Sequence, residues 1–259
     1  MPLSASRRFR PLGRAAALST LLMVASGSAV AQWEGSVGAG VFSMPEYLGS
    51  DDNETRAWPS ASVTYGDTFY ASVRDGIGWN IFRQGNWAVS PYVSYLSGRD
   101  NDGELRGLDK VDDSAALGVR ARYSDGPWGL EAATRAPLGG DVDGFDAELK
   151  ASWRTMLSEQ MAFSVGPELT YSSDDWTDDM FGISPDESAR SGLAVYRPND
   201  GYFRMGLTSS LSYYLTRDWS VTGLLGITRL TGDAADSPIV DDVGNETQVM
   251  GGALINYHF

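Results

Sequence analysis

The sequence predicts an all-β fold, a transmembrane antiparallel up-and-down β-barrel of about twelve strands, with ten as the alternative count. Three observations carry that expectation. Apolar and polar residues alternate with period two in runs of about 9–11 residues, the length a tilted strand needs to cross a bilayer. Phe145, Ala147, Leu149, Ala151 and Trp153 interleave with Asp146, Glu148, Lys150, Ser152 and Arg154, and Met161, Phe163, Val165, Leu169 and Tyr171 with Ser164, Gly166, Glu168 and Thr170. Aromatic residues gather near the ends of such runs, at Trp33, Trp58, Trp87, Trp128, Trp153, Trp219, Tyr123 and Tyr171, as interfacial girdles require. Beyond residue 32 the chain has no apolar run long enough for a membrane helix.

The elements follow in order. Arg7, Arg8, Arg10 and Arg14 precede an apolar stretch from Ala15 to about Val24 and the small-residue site Ala29-Val30-Ala31, so residues 1–31 read as an export signal cleaved between Ala31 and Gln32. Residues 32–259 read as the barrel. Strands are expected at 33–42, 57–65, 68–74, 77–82, 87–98, 113–123, 127–137, 144–154, 160–172, 200–215, 219–230 and 247–259. Tight connections fall at Gly66-Asp67, Gln84–Asn86, Ser124–Gly126, Leu157–Gln160 and Arg217-Asp218, and long ones at 43–56, 99–112, 173–199 and 231–246. Bacterial barrels keep short turns in the periplasm and long loops outside, which twelve strands satisfy if the chain breaks near Arg74-Asp75-Gly76. A single strand over 68–82 would put long loops on both sides. The final strand alternates to the last residue, with Tyr257 and Phe259 on its apolar face; this pair is expected to be the signal that barrel-assembly machinery reads.

Composition excludes several chemistries. With no Cys and His258 as the sole His, thiolate catalysis, Cys-ligated metal and a Ser-His-Asp site have few groups to draw on. Neither catalysis nor a cofactor is expected. Removing the four signal arginines takes the formal charge from −14 to −18. The excess lies in the long loops, in groups such as Asp174, Asp175, Asp178 and Asp179, a distribution that repels nucleic acid. A solvated outer rim is the expectation there, with weak Ca²⁺ or Mg²⁺ binding shared with lipopolysaccharide as the alternative. Arg120, Arg122, Arg135, Lys150, Arg154 and Arg204 share the inward parity with Glu131, Asp146, Glu148 and Glu168. Both signs therefore meet inside, as a salt-bridged plug or the lining of a narrow pore.

"YLGSDD" (47–52), "GIGWNIF" (76–82), "SGLAVYRP" (191–198), "RLTGDAADSPIV" (229–240) and the closing "NYHF" together resemble the MipA/OmpV family of outer-membrane proteins. The resemblance spans essentially the whole chain after the signal. It implies a monomeric barrel in the outer membrane of a Gram-negative bacterium, surrounded by lipid and lipopolysaccharide. It also implies a scaffold that links a murein transglycosylase of the MltA type to a penicillin-binding protein, with a small-solute or ion channel as the alternative. Within the most specific segment, Asp233 and Asp236 are expected to cap backbone N–H groups rather than hold a cation.

Overall fold

A computed structural model describes residues 33–259; the export signal and its cleavage site at Ala31 and Gln32 lie outside the described residues. The chain forms β1 (Trp33–Pro45), β2 (Asn53–Tyr65), β3 (Phe69–Ser72), β4 (Gly76–Trp79), β5 (Phe82–Gln84), β6 (Trp87–Leu96), β7 (Ser114–Asp125), β8 (Trp128–Pro137), β9 (Asp146–Ser158), β10 (Met161–Ser172), β11 (Tyr202–Tyr214), β12 (Trp219–Leu230) and β13 (Thr247–His258). Each pairs antiparallel with its neighbours, β1 meets β13, and β4 meets β6, so the sheet closes on itself. The β1–β13 and β4–β6 contacts join the two ends of the sheet, as crossing a bilayer with strands requires, although β3 meets β2 only over Ser62–Tyr65 and β4 meets β6 only at Ile77 and Gly78. Among the described residues, no helix is long and apolar enough to cross a membrane.

Thirteen strands make twelve staves. β4 and β5 both run antiparallel to β6, β4 at Ile77↔Val93 and β5 at Phe82↔Val89, so they are two halves of one stave whose register slips by one residue at Asn80-Ile81. The preceding break is chemical. The Ser72 hydroxyl accepts from the Asp75 N–H at 2.7 Å, and Gly76 takes φ +75° against the Val93 carbonyl, where no side chain would fit.

Outward positions carry the apolar parity: Leu225 is 65% exposed, Leu149 58% and Met205 52%. An unbroken apolar band of this kind is stable only against lipid. Two aromatic belts bound it. At the turn end, Trp33 packs on Tyr65, Trp87 on Tyr123 and Trp219 on Tyr257, with ring centroids 4.7, 5.0 and 5.2 Å apart. At the loop end, Tyr171 lies between Phe145 (6.2 Å) and Phe203 (5.1 Å). Along β10, from Phe163 to Tyr171, the belts are about 27 Å apart at ~3.4 Å per residue, or ~20 Å across the membrane after a tilt of ~40°. Trp58 departs from the expected girdle. It pairs with Gly40 in the same face set as Ser36↔Ser62, and therefore points into the lumen.

The buried apolar core lies in the loops and in the strand ends they cover. Leu105, Leu108, Val142, Phe181, Ile183, Leu230, Ile239 and Val240 are almost wholly buried together across the outer mouth. The expectation of a solvated acidic rim thus describes only the skin of these loops. Their aspartates face water because the short apolar runs between them face one another.

Candidate functional site

The interior wall on one side is a fixed polar network. Arg120 donates from Nη1 to the Tyr70 hydroxyl (2.9 Å) and to the Asp75 carbonyl (3.0 Å), and its guanidinium lies 4.0 Å from the centre of the Tyr92 ring. Arg122 sits 4.7 Å from the Tyr70 ring centre and donates from Nε to Glu131 at 2.7 Å. Glu131 also lies 3.2 Å from Arg120 Nε, without hydrogen-bond geometry. One carboxylate thus faces two guanidiniums, and two tyrosine rings cover them. Gly78 and Gly118 make this possible, since a Cβ at either would strike Tyr70 or Tyr92. Toward the loops, Arg135 pairs with Asp146 (2.9 Å) and Lys150 with Glu148 (2.7 Å). Paired and hydrogen-bonded charges hold one another in place and are costly to separate in a low-dielectric interior.

The loop plug closes the lumen from outside. It contains helices α1 (Asp174–Phe181), α2 (Pro185–Ser191) and α3 (Pro238–Asp241). α2 is specified locally: Ser184 and Glu187 form a reciprocal capping box, Pro185 opens the helix, and Gly192 ends it in the left-handed conformation. Glu187 also accepts the Asp109 N–H (3.0 Å), tying α2 to the loop after β6. Burial disfavours its charge, but the Asp109 N–H, the Ser184 hydroxyl and N–H, and Arg99 together hold its carboxyl below the usual value. Arg99 donates to the Met180 carbonyl at the end of α1. Ser237, the N-cap of α3, donates its hydroxyl to the Phe181 carbonyl at 2.7 Å. Within the GDAADSP segment, Asp233 Oδ2 accepts the N–H groups of Asn199 (2.6 Å) and Asp200 (2.9 Å). Asp236 is exposed, and Ser237 takes the capping position expected of it.

Among the described residues, the barrel interior holds a vestibule and a chamber. Near the turns lies a vestibule of about 840 Å³ lined by Ser36, Ser62, Thr64, Ser164, Ser210, Ser212 and Arg154. Beneath the plug lies a chamber of about 440 Å³, where Arg56, Trp58, Arg135, Asp146, Glu168 and Arg204 meet. His258 borders the vestibule, with Nε2 2.8 Å from the Ser220 hydroxyl. Ser220 is 3% exposed, so a substrate has no approach to that oxygen, and the pair acts as a strand-to-strand tie. Phe259 is exposed at the turn end, and its backbone N–H and C=O bond Gly35 at 3.0 Å each. Tyr257 stacks on Trp219 beside it. Among the described residues, no cluster of three or more His, Cys, Asp or Glu could hold a metal ion.

Of the charges singled out in the sequence, Arg120, Arg122 and Glu131 meet in the tyrosine network, Arg135, Glu168 and Arg204 line the chamber, Arg154 lines the vestibule, and Glu148 pairs with Lys150. Sequence reasoning missed Tyr70, Tyr92 and the plug. Inward parity alone could have found the tyrosines. The plug had a visible signal in the apolar runs Phe181–Ile183 and Pro238–Val240, set among aspartates.

The family model for MltA-interacting protein MipA matches residues 37–259. The MltA-interacting protein of Escherichia coli (strain K12) is 29% identical over 236 residues, 87% of this chain and 91% of that protein. Outer membrane protein OmpV of Vibrio cholerae serotype O1 is 25% identical over 235 residues, 88% of this chain and 87% of that one. Among solved structures, the NanC porin aligns with a TM-score of 0.44 and 12% identity, over 86% of this chain and 98% of that one. Neither these relatives nor the family model carries the name of an enzyme.

Proposed function

The chain belongs to the MltA-interacting protein (MipA) family of outer-membrane β-barrels, and on that premise we propose that it is a non-enzymatic scaffold for murein-remodelling enzymes. The partners in this reading are a transglycosylase of the MltA type and a penicillin-binding protein, held at the periplasmic turns. One observation carries it: an apolar loop core, in which Phe181 and Ile239 are 0% exposed, gathers at the outer mouth of the barrel. A barrel closed at its outer mouth has little use as a conduit, and its turn end is the surface that periplasmic proteins can reach. The name of the Escherichia coli relative supports the same choice of partner. In this reading the protein is a monomer in lipid and lipopolysaccharide, delivered after cleavage before Gln32 and inserted by barrel-assembly machinery that reads Tyr257 and Phe259.

A second reading, a narrow solute channel, draws on the hydroxyl-lined vestibule of about 840 Å³. Affinity capture from detergent-solubilised envelopes, set beside planar-bilayer conductance of the same preparation, separates the two. Scaffolding gives co-purified murein enzymes and a silent bilayer. Steady conductance with no murein enzyme recovered overturns it in favour of the channel.

A further inference from the structure

We propose that the chamber beneath the plug is a binding site for a small zwitterion, a free α-amino acid or a short peptide, entering from the periplasmic end. The site lies on the β10–β11 wall. Thr170 faces Arg204 across the pair and Glu168 faces Gly206, so Arg204 and Glu168 are diagonal neighbours on the lumen face. Such neighbours have Cβ atoms roughly 7–8 Å apart.

Several charges at this level are already paired. Arg135 holds Asp146 at 2.9 Å, Arg56 holds Glu54, and Lys150, which faces Glu168 across β9–β10, holds Glu148 at 2.7 Å. Arg204 and Glu168, by contrast, have no ion-pair partner among the described residues. They present a guanidinium and a carboxylate to the same space without meeting each other. Beside both, opposite Arg204 and two residues along β10 from Glu168, Thr170, 4% exposed and lining the chamber, has a hydroxyl with no hydrogen-bond partner. A buried hydroxyl without a partner is uncommon in a finished wall and points to a group that completes it.

A zwitterion meets these demands in one pose. Its carboxylate takes the planar fork of Arg204, its ammonium takes Glu168, and the Thr170 hydroxyl donates to the carboxylate. Gly206 leaves room for this, because the Glu168 side chain lies over it at the place a Cβ would occupy. Trp58, 40% exposed although it faces inward, lines the same chamber and offers an apolar face to the ligand's side chain. At about 440 Å³ the chamber falls within the ~300–1,000 Å³ of small-molecule sites. The plug covers it from outside. Four residues along the same wall, ~13 Å away, Ser164 lines the periplasmic vestibule.

The test is isothermal titration calorimetry of the detergent-folded barrel with leucine, leucyl-leucine, leucinamide and N-acetyl-leucine. Saturable binding of leucine or leucyl-leucine is expected, and the tighter of the two identifies the source as free amino acid or peptide. Leucinamide lacks the carboxylate and N-acetyl-leucine the ammonium, so each should bind about tenfold more weakly or worse. Arg204→Gln and Glu168→Gln should each cause a similar loss while keeping the heat-modifiable gel shift of a folded barrel. Absence of saturable heat with both zwitterions overturns the assignment. So does binding that the blocked analogues match on the wild-type protein, which needs no variant to fold. Neither result bears on capture of murein enzymes, so this site and the scaffold stand or fall separately.

Discussion

Truncating Phe181 to Ala should open the lumen while leaving the barrel closed around it. The ring is 0% exposed and meets Tyr202 edge-on at 5.4 Å, in the same buried cluster as Ile239 and Leu230. Replacing a fully buried Phe with Ala costs about 3–5 kcal/mol, through lost transfer energy and the cavity left behind. That cost falls chiefly on the loops, because the strands are held by their own backbone ladders. The carbonyl of residue 181 still accepts the Ser237 hydroxyl, so the cost is packing alone. At ~1.4 kcal/mol per factor of ten, the equilibrium for loop opening should rise by roughly 10²- to 4 × 10³-fold. Two assays read this: limited proteolysis in the 182–200 segment and current fluctuations in planar bilayers. Faster nicking with brief openings, and an unchanged heat-modifiable shift, is the expected result. Silent bilayers and wild-type protease resistance would refute the placement of Phe181 in a closing plug. Loss of the gel shift would refute the separation of plug from barrel.

Other substitutions probe other parts of the account. Leu149→Arg should destabilise by roughly 2–4 kcal/mol, since Leu149 is 58% exposed on the lipid face, whereas Ser164→Arg enters the polar vestibule and should cost much less; equilibrium unfolding in detergent compares them, and equal costs would reverse the faces. Asp233→Ala should lower plug protease resistance more than Asp233→Asn, because an amide oxygen still accepts the Asn199 and Asp200 N–H groups, and Asp236→Ala should match wild type. Glu187 has a folded-state value below its ordinary 4.5, so its contribution is present above about 4.5 and is lost as pH falls through the folded value. Asp179, half-buried, is shifted upward by desolvation and acts with the opposite sign, so Glu187→Gln is the control: it should flatten the acid loss of plug resistance. Deleting Phe259 should slow membrane insertion in pulse-chase, leaving protease-sensitive chain in the periplasm.

The wall was legible because a strand in a barrel has only two environments, lipid and lumen, and period two reports both. The split of 68–82 was recoverable from turn count and from Gly76. The slip at Asn80-Ile81 was not, because it depends on how β4 and β5 share β6. Trp58 was misread because an aromatic near a strand end looks the same from either face; only its register with Gly40 turns it inward. The plug stayed hidden for a different reason. Its buried loop residues come one to four at a time from four loops, too few in each to set a period, and they become a core only when the barrel brings the loops together. Likewise, which inward charges remain unpaired is a matter of side-chain geometry: Arg120 and Arg204 carry the same parity, yet one is locked between tyrosines and the other faces open space.

The most direct test of the scaffold is site-specific photo-crosslinking in intact envelopes, with the probe placed at Asn86, Gly126 or Glu159 in the turns and at Asp102 or Asp186 in the loops. The account predicts crosslinks to a murein transglycosylase or penicillin-binding protein from turn positions alone. Crosslinks to those enzymes from the loops, or none from any turn while the barrel is folded and abundant, would contradict it.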